Sequence, residues 1–202
     1  MGTSSPQWLW QQCLENAEFR LRAADHVQQH FTDDGVLGPP ALTNRFLART
    51  RQIESAILAE SARWGDVPHT VRMGQPPRHD EQGKPVTGPL GRSDWRREVT
   101  RLLREYLPVR TDIVRGQLFA AGVLPDLEAP KVIREAGRPV RLNHTETAAE
   151  IYFTTDGTDP RLLGGALNPA ARKLDSALPA GSPKLKARAR LGDEWSALVS
   201  LP

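Results

Sequence analysis

The chain has 202 residues, of which 27 are basic and 24 acidic, for a net charge of +3, and it contains a single cysteine. The near balance of charge disfavours a general nucleic-acid-binding surface, and a lone Cys13 excludes an internal disulfide framework or a CxxC motif. No segment approaches the roughly 18 apolar residues of a membrane span, and the N-terminus lacks the pattern of a signal peptide. We therefore expect neither nucleic acid nor a membrane as a partner.

The first part of the sequence has helical periodicity. From Trp10 onward, apolar residues recur at steps of three and four through Leu14 to Phe31, which predicts one amphipathic helix. A second helix is predicted over 41–64, ended by Gly65. The segment 66–92 is rich in proline and glycine and is predicted to be a flexible loop.

Two further helices are predicted after this loop. Ser93 is the expected N-cap of the third helix, and Pro108 is expected to end it. Thr111 is the expected cap of the fourth helix, and Gly122 suits the left-handed position just past its end. These patterns predict a helical domain over 1–127.

The periodicity changes from helical to alternating after Pro125, which is typical of strands with one exposed face. Gly192 and Asp193 form a hairpin signal between the last two strands. The predicted fold class is α+β, with about four helices followed by a small antiparallel, immunoglobulin-like β-sandwich over 128–202. The apolar positions that alternate are Val140, Leu142, Ile151, Phe153, Leu185, Ala187, Ala189, Leu191, Trp195, Ala197 and Val199.

The sequence contains no recognisable catalytic motif. A phosphate-binding glycine loop, a kinase signature and a nucleophile elbow are all missing from it. We assign no catalytic, cofactor-binding or metal-binding residue, and we expect neither enzymatic activity nor a cofactor. An enzyme whose site is built by the 66–92 loop is the weakest alternative.

Several residues are candidate metal ligands. His26 and His30 are four residues apart on the first helix, which fits ligands but also two surface histidines. Asp156 and Asp159 flank a glycine and favour an Asx turn, while a calcium site there stays open. The remaining candidates, expected to be surface residues, are His69, His79 and Asp80.

Trp195 and Tyr152 are candidates for stacking on a sugar ring. A tryptophan on a strand is more typical of a buried core than of a binding surface. We therefore expect Trp195 in the core, and we keep carbohydrate binding as the alternative.

Two segments of the β region resemble the chitobiase/β-hexosaminidase C-terminal domain. They are IYFTTDGTDPR, residues 151–161, and KARARLGDEWSALV, residues 186–199. The resemblance implies an immunoglobulin-like sandwich appended to an exported bacterial enzyme.

Three helical segments resemble the C-terminal portion of spore-coat CotH-type kinase family proteins. They are NAEFRLRAADHV (16–27), IESAILAESARWGD (53–66) and DWRREVTRLLREYLPVRTDIVRGQL (94–118). In that family the nucleotide-binding and metal-binding residues lie in a region that does not correspond to this chain, so no catalytic position is carried over.

The resemblance implies a non-catalytic accessory or interaction module. Its partner would be the kinase-like core of a parent protein, or another protein, and its location would be extracellular or in the cell envelope. We further expect the chain to be a piece of a longer protein, with the Leu14–Phe31 stripe partly uncovered and seeking a partner. The alternative is a carbohydrate-binding module that acts through the β domain.

Overall fold

A computed structural model describes residues 6–64, 91–135, 138–175, 178 and 184–201. The fold class is α+β, as predicted. The chain forms two compact units: Met1–Gly38 together with Thr111–Pro202, here called the composite unit, and Pro39–Arg110, here called the helical unit. The predicted boundary at 127/128 separates helices from strands in chain order, whereas the composite unit takes residues from both ends of the chain.

The helices occupy the first part of the described sequence. A π-helical segment, Leu102–Tyr106, connects the last two of them. The α-helices are α1 (Pro6–Cys13), α2 (Ala17–His30), α3 (Pro39–Ile53), α4 (Ala56–Trp64), α5 (Arg92–Arg101) and α6 (Leu107–Ala120).

Each of the first two predicted helices is divided in the structure. Asn16 ends the continuity between α1 and α2, because its side-chain oxygen accepts a hydrogen bond from the Phe19 N–H at 3.1 Å and caps α2. A short turn over residues 54–55 separates α3 from α4. The apolar period continues through both breaks, so periodicity alone could not reveal them.

The prediction that Pro108 ends a helix is wrong. The π-helical segment is wider than an α-helix, and the Leu107 N–H donates to the Leu102 carbonyl across it. The chain then continues through Pro108 into α6, so Thr111 lies inside a helix rather than at its start. Ser93 lies within α5, and the N-cap is Gly91, whose N–H donates to the Asp94 carboxylate at 3.0 Å.

The predicted end of α6 at Gly122 is confirmed. Gly122 has φ of 70°, a conformation that glycine adopts without a steric penalty. Its N–H donates to Phe119 O, and the Val123 N–H donates to Leu118 O. These two bonds form a Schellman motif that satisfies the last carbonyls of the helix.

The strands of the described residues form two antiparallel sheets. A two-stranded sheet pairs β1 (Lys131–Ile133) with β2 (Arg141–Asn143). The five-stranded sheet contains β3 (Glu150–Thr154), β4 (Arg172–Lys173), β5 (Lys186–Leu191), β6 (Glu194–Trp195) and β7 (Val199–Ser200). Its order is β4-β3-β5-β6, and β7 also pairs with β5, so the immunoglobulin-like sandwich stays a prediction.

The hydrophobic core lies against one face of the five-stranded sheet. Its buried residues alternate along β3 and β5, as predicted. They are Leu142, Ile151, Phe153, Leu185 and Ala187, with Val132, Leu174, Leu178 and Leu201 packed against them. Leu191 was expected in this set but is 38% exposed, because it lies next to the hairpin turn at Gly192.

The strand edge beside β5 is interrupted between β6 and β7. Ser196 still exchanges hydrogen bonds with Ala189: its N–H donates to Ala189 O, and its hydroxyl accepts from the Ala189 N–H, each at 2.9 Å. The next residues leave the ladder until Val199 pairs with Ala187. This bulge turns the carbonyl of Ser196 and the N–H of Leu198 towards other partners.

Candidate functional site

The most highly organised polar group of the composite unit surrounds Arg188. Its side chain is only 3% exposed, and its guanidinium donates to both carboxylate oxygens of Asp25 at 2.8 and 2.7 Å. It also donates to both oxygens of Asp159 at 2.8 and 2.6 Å, and to Ser196 O at 2.7 Å. All five N–H hydrogens of the arginine are therefore used. We call Asp25, Asp159, Arg188 and Ser196 the Arg188 cluster.

The position of Arg188 follows from the pairing of β5. Ala187 pairs with Phe153 and packs in the core, so Arg188 projects from the opposite face of the same sheet. On that face α2 supplies Asp25, whose Oδ1 also accepts the Leu198 N–H of the bulge at 2.8 Å. The bulge and the helix therefore complete the cluster together.

A second ion pair joins α2 to the β region of the composite unit. Arg161 donates to both oxygens of Glu18, each at 2.7 Å, and the Gly164 N–H donates to Oε1 at 2.9 Å. The side-chain hydrogen bonds from Arg161, reinforced by the Gly164 N–H, lower the pKa of Glu18 from 4.5 to about 2. Glu18 is therefore ionised throughout the physiological range.

The charges of the Arg188 cluster stabilise one another. Burial acts to raise the pKa of Asp159, but the hydrogen bonds and charge of Arg188 outweigh it and hold that pKa below its usual value. Burial likewise acts to lower the pKa of Arg188, and its bonds to Asp159 and Asp25 raise it instead. Groups held ionised in this way are suited to joining elements rather than to exchanging protons.

The predicted Asx turn in the TDGTDP motif is confirmed. Asp156 accepts the Thr158 N–H at 2.9 Å and the Thr158 hydroxyl at 2.6 Å. Asp159 accepts the Arg161 N–H at 2.9 Å and the two bonds from Arg188. The alternative calcium site would have to share Asp159 with the buried guanidinium, which already holds both of its oxygens.

Trp195 lies in the protein interior, as we expected of a strand tryptophan. It is 4% exposed, and its Nε1–H donates to Gly165 O at 2.9 Å. The Arg190 guanidinium lies 5.2 Å from its ring centroid, and the Tyr152 ring lies at 5.9 Å. Because Trp195 is buried, its ring is not available to stack on a sugar, whereas Tyr152 is half-buried.

The helical histidines are neighbours without a metal-binding environment. The rings of His26 and His30 stack with centroids 6.1 Å apart. Across the described ranges, no group of three or more His, Cys, Asp or Glu is placed to share a metal ion. His69, His79 and Asp80 lie outside the described residues, as does the predicted 66–92 loop up to residue 90.

The apolar stripe of the first predicted helix is partly covered. Ala24 and Val27 are buried in the composite unit, Leu14, Leu21 and Phe31 are half-buried, and Ala17 is exposed. The expectation that this stripe seeks a partner stays a prediction. The same helix, α2, also supplies Glu18 and Asp25 to the two ion pairs described above.

An open cleft of about 1250 Å³ lies in the composite unit beside the end of α2. Gln29, Asp34 and Arg134 contribute to its lining, and Asp34 forms an ion pair with Arg134. Arg115 and the half-exposed Phe119 contribute from α6. The lining carries both signs of charge, so it does not select an anionic or a cationic ligand.

The helical unit exposes large apolar side chains. We call them the exposed apolar set: Ile53 (47% exposed), Leu58 (55%), Tyr106 (41%) and Val109 (48%). Among the side chains described in this unit, only Thr50 and Leu107 are buried. The composite unit also exposes large apolar side chains, among them Leu9 and Leu163, but it buries a core as well, whereas the described part of the helical unit buries few side chains.

Comparison with known proteins identifies no relative. No protein-family description, no curated protein and no solved structure matches the chain. In the described part of the structure, no helix combines the length and the apolar content required to cross a membrane. The geometry therefore leaves two functional regions to consider: the Arg188 cluster with its ion pairs, and the exposed apolar set.

Proposed function

We propose that the chain is a non-catalytic accessory module whose helical unit docks on another protein. The core and the Arg188 cluster stabilise the composite unit. The proposal therefore assigns partner binding to residues 39–110 and a stabilising role to the remainder of the chain.

The exposed apolar set is the observation that carries this proposal. Ile53, Leu58 and Val109 together expose surface that a helical bundle would ordinarily bury. Burial of such side chains against a partner is favourable by ~25 cal/mol per Å² of apolar surface. The described charged side chains near α5 are paired with one another instead, as Arg92 and Arg96 are with Glu54.

The sequence resemblance supplies the partner. Segments 53–66 and 94–118, which resemble CotH-type kinase proteins, contain all four members of the exposed apolar set. The proposed partner is therefore the kinase-like core of such a protein, and the proposed location is extracellular or the cell envelope.

A direct binding measurement tests the proposal. Titration calorimetry of the full chain against the separately purified kinase-like core of a CotH-type protein should give saturable binding. The double substitution Leu58→Ser with Val109→Ser should weaken that binding at least about tenfold, because hydrophobic anchors contribute most of the energy of an interface.

A matched control lies in the composite unit. Leu163 is 84% exposed, so Leu163→Ser removes a comparable apolar side chain without touching the helical unit. It should leave the affinity unchanged. Absence of binding, equal loss with both variants, or saturable binding of Mg-ATP to the chain alone would each refute the proposal.

A further inference from the structure

The face of the five-stranded sheet opposite the core is built to receive a helix with two acidic residues. Glu18 and Asp25 are seven positions apart on α2, about two helical turns, so they lie on one face of that helix. Each carboxylate is held by both oxygens, Glu18 by Arg161 and Asp25 by Arg188. Each also accepts a backbone N–H from the β region, from Gly164 and Leu198.

The cost of leaving this site empty is high. Arg188 is 2% exposed, and without Asp25 it would keep its pair with Asp159 but two of its N–H hydrogens would lose their acceptor. The Leu198 N–H would lose its acceptor as well. Buried donors without an acceptor destabilise a fold, so the β region depends on α2 for acceptors that its own residues do not supply.

The two places where the composite unit is interrupted lie side by side. The first segment of the composite unit ends at Gly38, and its second segment begins at Thr111. The Thr111 hydroxyl donates to the Leu37 carbonyl at 2.8 Å. The segment before this junction is a tight turn, in which the Leu37 N–H donates to His30 O at 2.8 Å. A chain that leaves and re-enters a fold at adjacent points is the geometry of an insertion.

We infer that α2 is a structural member of the β domain and that residues 39–110 are an insertion within that domain. The acidic face of α2 binds Arg188 of the sheet and Arg161 of the segment that follows β3. The domain that folds as one body is thus 1–38 with 111–202, and the segment 128–202 lacks an essential part of it.

Native-state hydrogen exchange on the full chain tests this inference. The amides of α2 should open in the same cooperative event as those of β3 and β5, with equal protection at each denaturant concentration. Asp25→Asn keeps the size of the side chain but removes the charge opposite Arg188. It should lower the protection of α2, β3 and β5 amides by the same factor, at least about tenfold.

Two more variants complete the test. Glu18→Gln weakens the more exposed ion pair, between Glu18 and Arg161. It should lower the protection of the same amides together by about two- to fivefold, and it replaces Asp25→Asn in the test if that variant does not fold. Glu54→Gln disturbs an ion-pair group of the helical unit and should leave the amides of α2, β3 and β5 unchanged. Protection of α2 that is lost with α3 and α4 in Glu54→Gln, or retained when β5 loses its own, would overturn the inference.

Discussion

The two units of this protein organise their side chains in opposite ways. The composite unit buries a continuous apolar core on one face of its larger sheet and a saturated ionic cluster on the other face. The helical unit leaves Leu58 and Val109 about half exposed, and its described ion pairs lie near the surface. The buried core therefore lies in the first unit, whereas the described part of the second unit buries few side chains and leaves apolar surface that a partner could cover.

This difference shows why a count of ion pairs is a poor guide to stability. Glu54 accepts bonds from Arg92 and Arg96, whose side chains are 40% and 58% exposed, so solvent screens them. Asp25 and Arg188 are 13% and 3% exposed and share their bonds with a strand bulge. Ion pairs between similar residue types therefore contribute differently to stability in the two units.

The largest expected effect is the loss of the Arg188 cluster. Arg188→Met should destabilise the protein by ~3–5 kcal/mol, because Asp25 and Asp159 would remain buried without their cation. Urea unfolding followed by tryptophan fluorescence measures this change. Arg96→Met, the corresponding change in the helical unit, should cost no more than ~1 kcal/mol. Similar losses in the two variants would remove the contrast between the units.

A second comparison uses leucines of equal size. Leu185 is 2% exposed in the core, so Leu185→Ala should cost ~2–5 kcal/mol through lost burial and a residual cavity. Leu58 is 55% exposed, and Leu58→Ala should change the free energy of unfolding by less than ~0.5 kcal/mol. Urea unfolding of both variants decides the matter; a large loss for Leu58→Ala would mean that the helical unit already uses this side chain.

A third comparison places alanine at two glycines of the composite unit. A Cβ at Gly38 would collide with the Thr32 carbonyl oxygen in the turn after α2, so Gly38→Ala should cost ~1–3 kcal/mol. Gly116 lies in α6 with open space around the Cβ position, so Gly116→Ala should add ~0.5–1 kcal/mol. Thermal unfolding should shift in opposite directions, and a shift of the same sign would mean that the turn can relax.

Local patterns in the sequence predicted the elements that local physics determines. The alternation along β3 and β5 placed Ile151, Phe153 and Ala187 in the core, and Gly122 marked the end of a helix. The alternation also assigned Arg188 to an exposed face, where it is in fact buried. Only the small neighbours Ala187 and Ala189 could have suggested an arginine in a packed environment.

The partners of Arg188 could not be predicted from spacing. Asp25 lies 163 positions away in the sequence, on a helix that belongs to the predicted helical domain over 1–127. Likewise, the helix continues through Pro108 because of a wide π turn, and the sequence signal for such a turn is weak. Pairings of this kind are determined by tertiary contacts, which a single sequence does not contain.

The smallest expected effect is a pH dependence that separates Glu18 from an ordinary glutamate. Its pKa is about 2 in the folded protein and 4.5 when it is free of Arg161, so the unfolded state takes up its proton first. The stabilisation from this pair is complete above about pH 5 and is lost as the pH falls through 4.5 towards 2. Because Glu18 is 36% exposed, we expect no more than ~1 kcal/mol. Urea unfolding at pH 7 and pH 3 should therefore show a steeper loss in the natural chain than in Glu18→Gln, whereas Leu58→Ala, which removes no charge, should follow the natural chain. Equal slopes for all three proteins would mean that the Arg161 pair does not tie α2 to the sheet.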